Sequence, residues 1–438
     1  MLLPYLSESD PNVVSEGSLD PLGLYPISDR LATKMVPGFR ERMQHPRFLT
    51  AIAVGTAVCS EFDEDIVASD GFTPPYQVYE WYIIQGLTRV YGVSDENRGL
   101  NGREKASRAI KDGVPLSAVR YLKVPNVFGF HGVYRTLARD TNLLIGDQLG
   151  EFGDTLVRTW EKEQKLNGFY STNNGPGKDF RLKLFDAVKD GLDKGAVART
   201  MNWPFFWEMA PHFAIYQIGR KESQTIYNYI LNDERSTRNE VIRFLLSDEG
   251  QNIWLKTFSE KEFHQAFYPH ASERLKALLK VIQKYERFSR MLQNVFDCSL
   301  YQMSRSSRLA LSELAKSSEV EIASKELPDL THEIIDLIEA FGEALTFQNT
   351  FGEFASKSTP LKWLETFIAH HMIIQKNKPP NGKRPWFEKT EYGELLIYPS
   401  YITDEKPNGK DEYVNYYRTD PLWSFMKDLK RTRNGPNE

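Results

Sequence analysis

From Ser272 to Ser304 the chain reads SERLKALLKVIQKYERFSRMLQNVFDCSLYQMS, with apolar residues returning every third or fourth position among Lys, Arg and Glu. Only a helix gathers residues at that spacing onto one face, and a helix this long needs neighbours to cover its apolar side. The pattern predicts a spine helix inside a helical domain. Similar steps recur in FRLKLFDAVKDGLDKG, KESQTIYNYILND, RSTRNEVIRFLLSD and PDLTHEIIDLIEAFGEAL, so residues 179–360 read as almost wholly helical. No fixed repeat period links these stretches, which argues against a solenoid.

Residues 1–20, rich in Ser, Glu, Asp and Pro, are expected to form a flexible arm. Ser28 or Asp29 is expected to cap a helix over Leu31 and Met35, which Pro37-Gly38 ends. An apolar core helix follows from Phe48 to Val58, behind a basic prelude of Arg40, Arg42 and Arg47 that is expected to extend the basic surface between Arg98 and Arg139. FTPPYQVYEWYIIQGLTRVYG is an aromatic-rich helix whose Tyr79, Trp81, Tyr82 and Tyr91 fit a core better than a base-stacking platform. Two amphipathic stretches then lie close together, GFHGVYRTLARDTNLLI and DQLGEFGDTLVRTWEKEQKL, with Asp147 as the expected N-cap of the second. This pair has the spacing of a helix-turn-helix or winged-helix core. A Gly/Asn-rich break at Ser171–Lys178 suggests a boundary, and Glu394–Tyr398 reads as a strand between the turns PPNGK and KPNGK. The expected fold class is mainly α: a multi-domain helical protein with a helix-turn-helix-like N-terminal part (21–170), a helical domain (171–360) and a small α/β region with a β element near the C-terminus (361–438).

Composition narrows the function classes. At 438 residues, 41% hydrophobic and 13% aromatic, the chain can bury a sizeable core. Its two cysteines, Cys59 and Cys298, suit reduced thiols and cannot form a zinc ribbon. The opening MLLPYLSESDPNVVSEGS lacks a basic leader, and nowhere do eighteen apolar residues run together, so a cytoplasmic protein without a membrane partner is expected. No HExxH, paired CxxC, GxSxG, GxGxxG or phosphate-loop motif occurs. Adjacent histidines such as His370 and His371 point apart on a helix and do not share a metal readily. No catalytic residue, metal ligand or cofactor site is expected.

Charge carries the functional signal. Within a net charge of -4, the stretch from Arg98 to Arg139 holds nine Lys/Arg against Glu104 and Asp112, a local +7. Such a surface suits a polyanion. Arg103, Lys105, Arg108, Arg120, Lys123, Arg135 and Arg139 are the expected phosphate contacts, with Arg135 and Arg139 sharing one helix face. A second basic cluster holds Lys376, Lys378, Lys383, Arg384 and Lys389 beside Trp386 and Phe387. From it Lys383 and Arg384 are taken as secondary nucleic-acid contacts, since cations among exposed aromatics fit backbone contact with base stacking.

DPLGLYPISDRLATKMVPGF with HPRFLTAIAVG, VFGFHGVYRTLARDTNLL, and QKNKPPNGKRPWFE with NYYRTDPLWSFMKDL together resemble poorly characterised prokaryotic proteins encoded in anti-phage defence gene clusters. Such proteins accompany motor ATPases, helicases or nucleases. The resemblance covers a minority of the chain and includes no catalytic signature. It implies a non-catalytic DNA-binding or DNA-sensing subunit that holds double-stranded DNA. The alternatives are an adaptor that recruits an ATPase or nuclease subunit through the Trp203–Trp207 loop, and a divergent metal-dependent nuclease.

Overall fold

Helical periodicity becomes helix along most of the chain. The computed structural model describes residues 20–92, 98–171, 174–234, 236–306, 308–379, 381–407 and 411–433, so the expected arm, apart from Asp20, lies outside the described residues. The protein is mainly helical, at 62% helix and 4% strand. In chain order come α1 (Tyr25–Met35), α2 (Arg47–Cys59), α3 (Pro75–Tyr91), α4 (Arg103–Lys111), α5 (Pro125–Phe128) and α6 (Phe130–Asp140). The short strands β1 (Leu144–Ile145) and β2 (Gln148–Leu149) lead to α7 (Glu151–Glu163), α8 (Pro176–Lys194), α9 (Phe205–Phe213), α10 (Arg220–Ile230), α11 (Thr237–Leu245), α12 (Asp248–Thr257) and α13 (Glu260–Phe267). Then follow α14 (Glu273–Arg305), β3 (Leu309–Ala310), α15 (Leu311–Leu314), α16 (Ser318–Glu339), α17 (Ala344–Phe351), α18 (Pro360–Lys376), β4 (Phe387–Lys389), β5 (Glu394–Ile397) and α19 (Thr419–Asp428).

Contacts divide the chain into two compact units, each discontinuous in sequence. The first holds residues up to Ala32 together with Ser259–Tyr417; the second holds Thr33–Phe258 together with Arg418–Glu438. A linear division at 170 and 360 and this division by contacts cut the chain in different places.

In the first unit α14 is the expected spine, 33 residues long. It starts where Ser272 accepts a hydrogen bond from Leu275 N, and it buries Leu275, Leu278, Ile282, Phe288, Leu292 and Phe296. Phe288 meets Phe347, Phe351 and Phe354 edge-on at 5.2–6.2 Å. The small sheet is antiparallel in the order β3-β5-β4, with Leu309 opposite Leu395 and Phe387 opposite Ile397. His370 and His371 serve the fold: His370 bridges the Glu353 carboxylate and Leu22 O, while His371 faces Pro21 O and accepts from Trp386 N. Ser28 and Asp29, expected as caps, lie inside α1. The helix start is served by Asp20, whose carboxylate accepts from Leu24 N and Tyr25 N at 2.9 Å.

In the second unit α2 and α3 form the centre, and α2 is buried from Arg47 to Val58. α3 starts at Pro75, behind Pro74, and buries Tyr79, Trp81 and Tyr82 in the core, as its spacing predicts, while Tyr91 at its end is half-buried. The Trp203–Trp207 segment mostly fills its own core: Phe205 and Phe206 are buried, Trp203 packs edge-on against Tyr82, and Trp207 alone of these is exposed. The paired helices are α6 and α7, and their connection contains a hairpin. β1 and β2 pair across Gly146-Asp147, with Gly146 at φ +64. Asp147 is therefore a turn residue. α7 starts instead at Glu151, behind Gly150.

Candidate nucleic-acid interface

The basic stretch folds around one buried carboxylate. Glu80 on α3 accepts from Tyr121 Oη at 2.6 Å, from His131 N at 3.0 Å and from Phe130 N. It thus satisfies the first amides of α6 from outside the helix, where a negative group also meets the positive end of the helix dipole. Gly129 leaves room for this contact, because a Cβ there would run into the Glu80 carboxylate. Burial pushes the Glu80 carboxyl up to about 7. Beside it, His131 stacks on Tyr76 at 4.3 Å, and burial, helped by Arg135, lowers its imidazole to about 4.

Around this anchor the basic elements converge. Gly102, at φ +80 ahead of α4, lies against the Tyr121 ring and has no space for a side chain. Asn101 Nδ2 donates to Phe128 O at 3.2 Å. The start of α4 therefore runs beside the loop that carries Arg120 and Lys123. α4 buries Ala106 and Ala109 and turns Arg108 outward, with Lys105 half-buried. Lys105, Arg108, Arg120 and Lys123 make no ion pair or side-chain hydrogen bond with any described residue.

The other sequence candidates divide. Arg103 pairs with neighbouring Glu104 at 3.3 Å. Arg135 and Arg139 do share a face of α6, but Asp147 from the hairpin faces both, at 3.2 and 3.9 Å. These exposed pairs offset part of the local charge, and each is worth under about 1 kcal/mol, so competing phosphates can displace them. Arg47 leaves the patch altogether. It is buried and paired with Glu222, which also accepts from Thr50. Arg42 stays with the patch, its guanidinium 4.8 Å from the Phe128 ring centroid.

In the first unit, Lys383 and Arg384 line an open groove of about 500 Å³ together with Lys376, Met372, Ile373 and Pro385. Burial, with Lys383 pushing the same way and Asp20 opposing, lowers the Lys378 ammonium to about 8. Lys389 is paired with Glu365 at 3.1 Å. The aromatics expected beside these cations are engaged within the fold, Phe387 fully and Trp386, half-buried, through one face. Phe387 is buried, and Trp386 stacks on Tyr401 at 4.4 Å. Arg384 instead lies over Tyr398, at 4.8 Å from its ring centroid.

Among the described residues no group of three His, Cys, Asp or Glu side chains is placed to hold a metal, and no helix is long and apolar enough to cross a membrane. Glu80 is the residue that sequence reasoning missed. Its signal was a lone acid inside the otherwise uncharged run PYQVYEWYIIQG. Comparison with known protein families, with curated proteins and with solved structures finds no match to this chain.

Proposed function

We propose that this protein binds double-stranded DNA through its phosphates and is a non-catalytic recognition subunit of a bacterial anti-phage defence complex. The observation that carries the DNA reading is the set of exposed or half-buried cations Lys105, Arg108, Arg120 and Lys123, none with a carboxylate partner among the described residues. They sit on elements locked together through Gly102, Tyr121 and Glu80. Cations carried on a tethered backbone neutralise phosphates without an ordering cost for the main chain, and each contact releases condensed counterion. Arg103, Arg135 and Arg139 join by exchanging their surface carboxylates for phosphate. Lys383 and Arg384 offer a further phosphate site on the first unit. The defence setting, with a motor ATPase, helicase or nuclease as partner, rests on the sequence resemblance alone.

A salt series with a fluorescent duplex tests the reading. The protein should bind with an affinity that falls steeply as salt rises. Changing Lys105, Arg108, Arg120 and Lys123 to Glu should weaken binding and flatten the log–log salt slope by about 3 to 4, at roughly 0.9 per phosphate contact. Equal affinity and equal slope for the two proteins would refute it.

A further inference from the structure

The basic surface also holds an apolar ridge. Val119 is 95% exposed, and Val124, Val127 and Phe128 are exposed on the same segment. Single exposed valines are ordinary on a mobile loop. This segment is instead fastened along its length. Val197 N donates to Leu116 O at 2.8 Å, and Ser117 bridges to Ala196. Tyr121 is tied to Glu80, and Asn126 Oδ1 accepts from Tyr76 Oη at 2.9 Å and Gln77 Nε2 at 2.7 Å. Phe128 O accepts from Asn101. The ordering entropy is met within the fold, yet the valines face water.

The chemistry of the fringe selects the occupant. From Gly113 to Arg139 the sequence contains no Asp or Glu, and the ridge residues alternate with Arg120 and Lys123. Arg42 stands over Phe128. A protein partner that buried these valines would have to neutralise a mainly cationic rim, in which Asp147 faces Arg135 and Arg139, whereas a duplex supplies anionic phosphates flanking apolar base faces. We infer that Val119, Val124 and Val127 form an apolar wedge that inserts between base steps of a DNA duplex while the neighbouring cations hold its phosphates. The inference rests on the DNA reading and adds to it a preference for DNA that is already unstacked.

Such a wedge pays less on a duplex whose stacking is interrupted. The protein should therefore bind a duplex with a central two-base bulge about tenfold more tightly than the matched duplex. Changing Val119, Val124 and Val127 to Ser should abolish that preference and leave the salt slope unchanged. These exposed positions should not alter the thermal melt, and Val119→Trp should strengthen the preference. Equal affinity of the unaltered protein for both duplexes, with binding still lost in the four-cation Glu variant, would overturn the wedge and spare the DNA reading. Loss of all duplex binding by the unaltered protein would sink both. If the Ser changes abolish binding to phosphatidylserine-containing vesicles while the bulge preference persists, the ridge is a membrane contact and the wedge is wrong.

Discussion

Glu80 ties the basic surface to the core through a single titratable group. Its carboxyl sits at about 7 in the fold, against an ordinary value of 4.5, because burial penalises the charged form. A carboxyl raised in this way stabilises the fold fully below about 4.5, and that contribution is lost as pH rises through about 7. The difference amounts to roughly 3 kcal/mol across the window. His131 works in the opposite sense: held neutral by burial, it favours the fold above its ordinary 6.5 and withdraws support as pH falls through about 4. Glu80→Gln retains an oxygen acceptor but cannot ionise. Denaturant midpoints at pH 5.5 and pH 8 should drop more between the two for the unaltered protein than for the variant; parallel behaviour would show that Glu80 is not buried as described. The basic half of this site was legible because charge counts survive any fold. Its anchor was not, because nothing local says that an acid on an aromatic helix will meet amides that lie fifty residues further on.

At the scale of elements, α2 and α10 are joined by a pair with no solvent around it. Arg47 donates to Glu222 and to His212 O, and Thr50 adds a hydroxyl to the same carboxylate. Removing one partner from such a pair strands the other charge, at a cost of about 3–5 kcal/mol, whereas replacing both with apolar residues of similar volume is often close to neutral. Glu222→Ala should lower the unfolding free energy by that amount, and Arg47→Met with Glu222→Leu should recover most of it. Urea titrations of the three proteins check this; a Glu222→Ala protein as stable as the parent would mean that the pair is solvated. The sequence placed Arg47 with Arg40 and Arg42 because they are neighbours in the chain. Its actual partner lies 175 residues away, a separation that no local pattern bridges. Asp147 is a similar case: an acid before an amphipathic run resembles an N-cap, but Gly146 and Asp147 fit the two-residue turn of a hairpin, and the turn is formed instead.

For the whole molecule, helix positions were written in the periodicity, as α14 shows by running almost to the residues where its apolar steps end. The grouping of helices was not, since periodicity gives the width of an apolar face and never the identity of what covers it. α19 is the clearest instance. It carries the last described helix into the core of the second unit, where Leu422, Trp423, Phe425, Met426 and the following Leu429 are buried. Phe425 meets Phe39 at 5.1 Å, Asp428 faces His45 Nδ1 at 2.7 Å, and Ser223 donates to Leu429 O. Burying each such side chain contributes about 1.5–3 kcal/mol, so the five together are worth on the order of 10 kcal/mol, comparable with the whole stability of a domain. A chain ending at Tyr417 should therefore lose cooperative unfolding of the second unit while keeping every residue of the first. Proteolysis followed by mass spectrometry should find cleavage concentrated between residues 33 and 258, and a synthetic peptide of residues 418–433 added in trans should restore protection there. Uniform protection without the peptide would mean that α19 merely rests on the surface. Restored protection would mean that the second unit is completed only by the segment lying furthest from it in sequence.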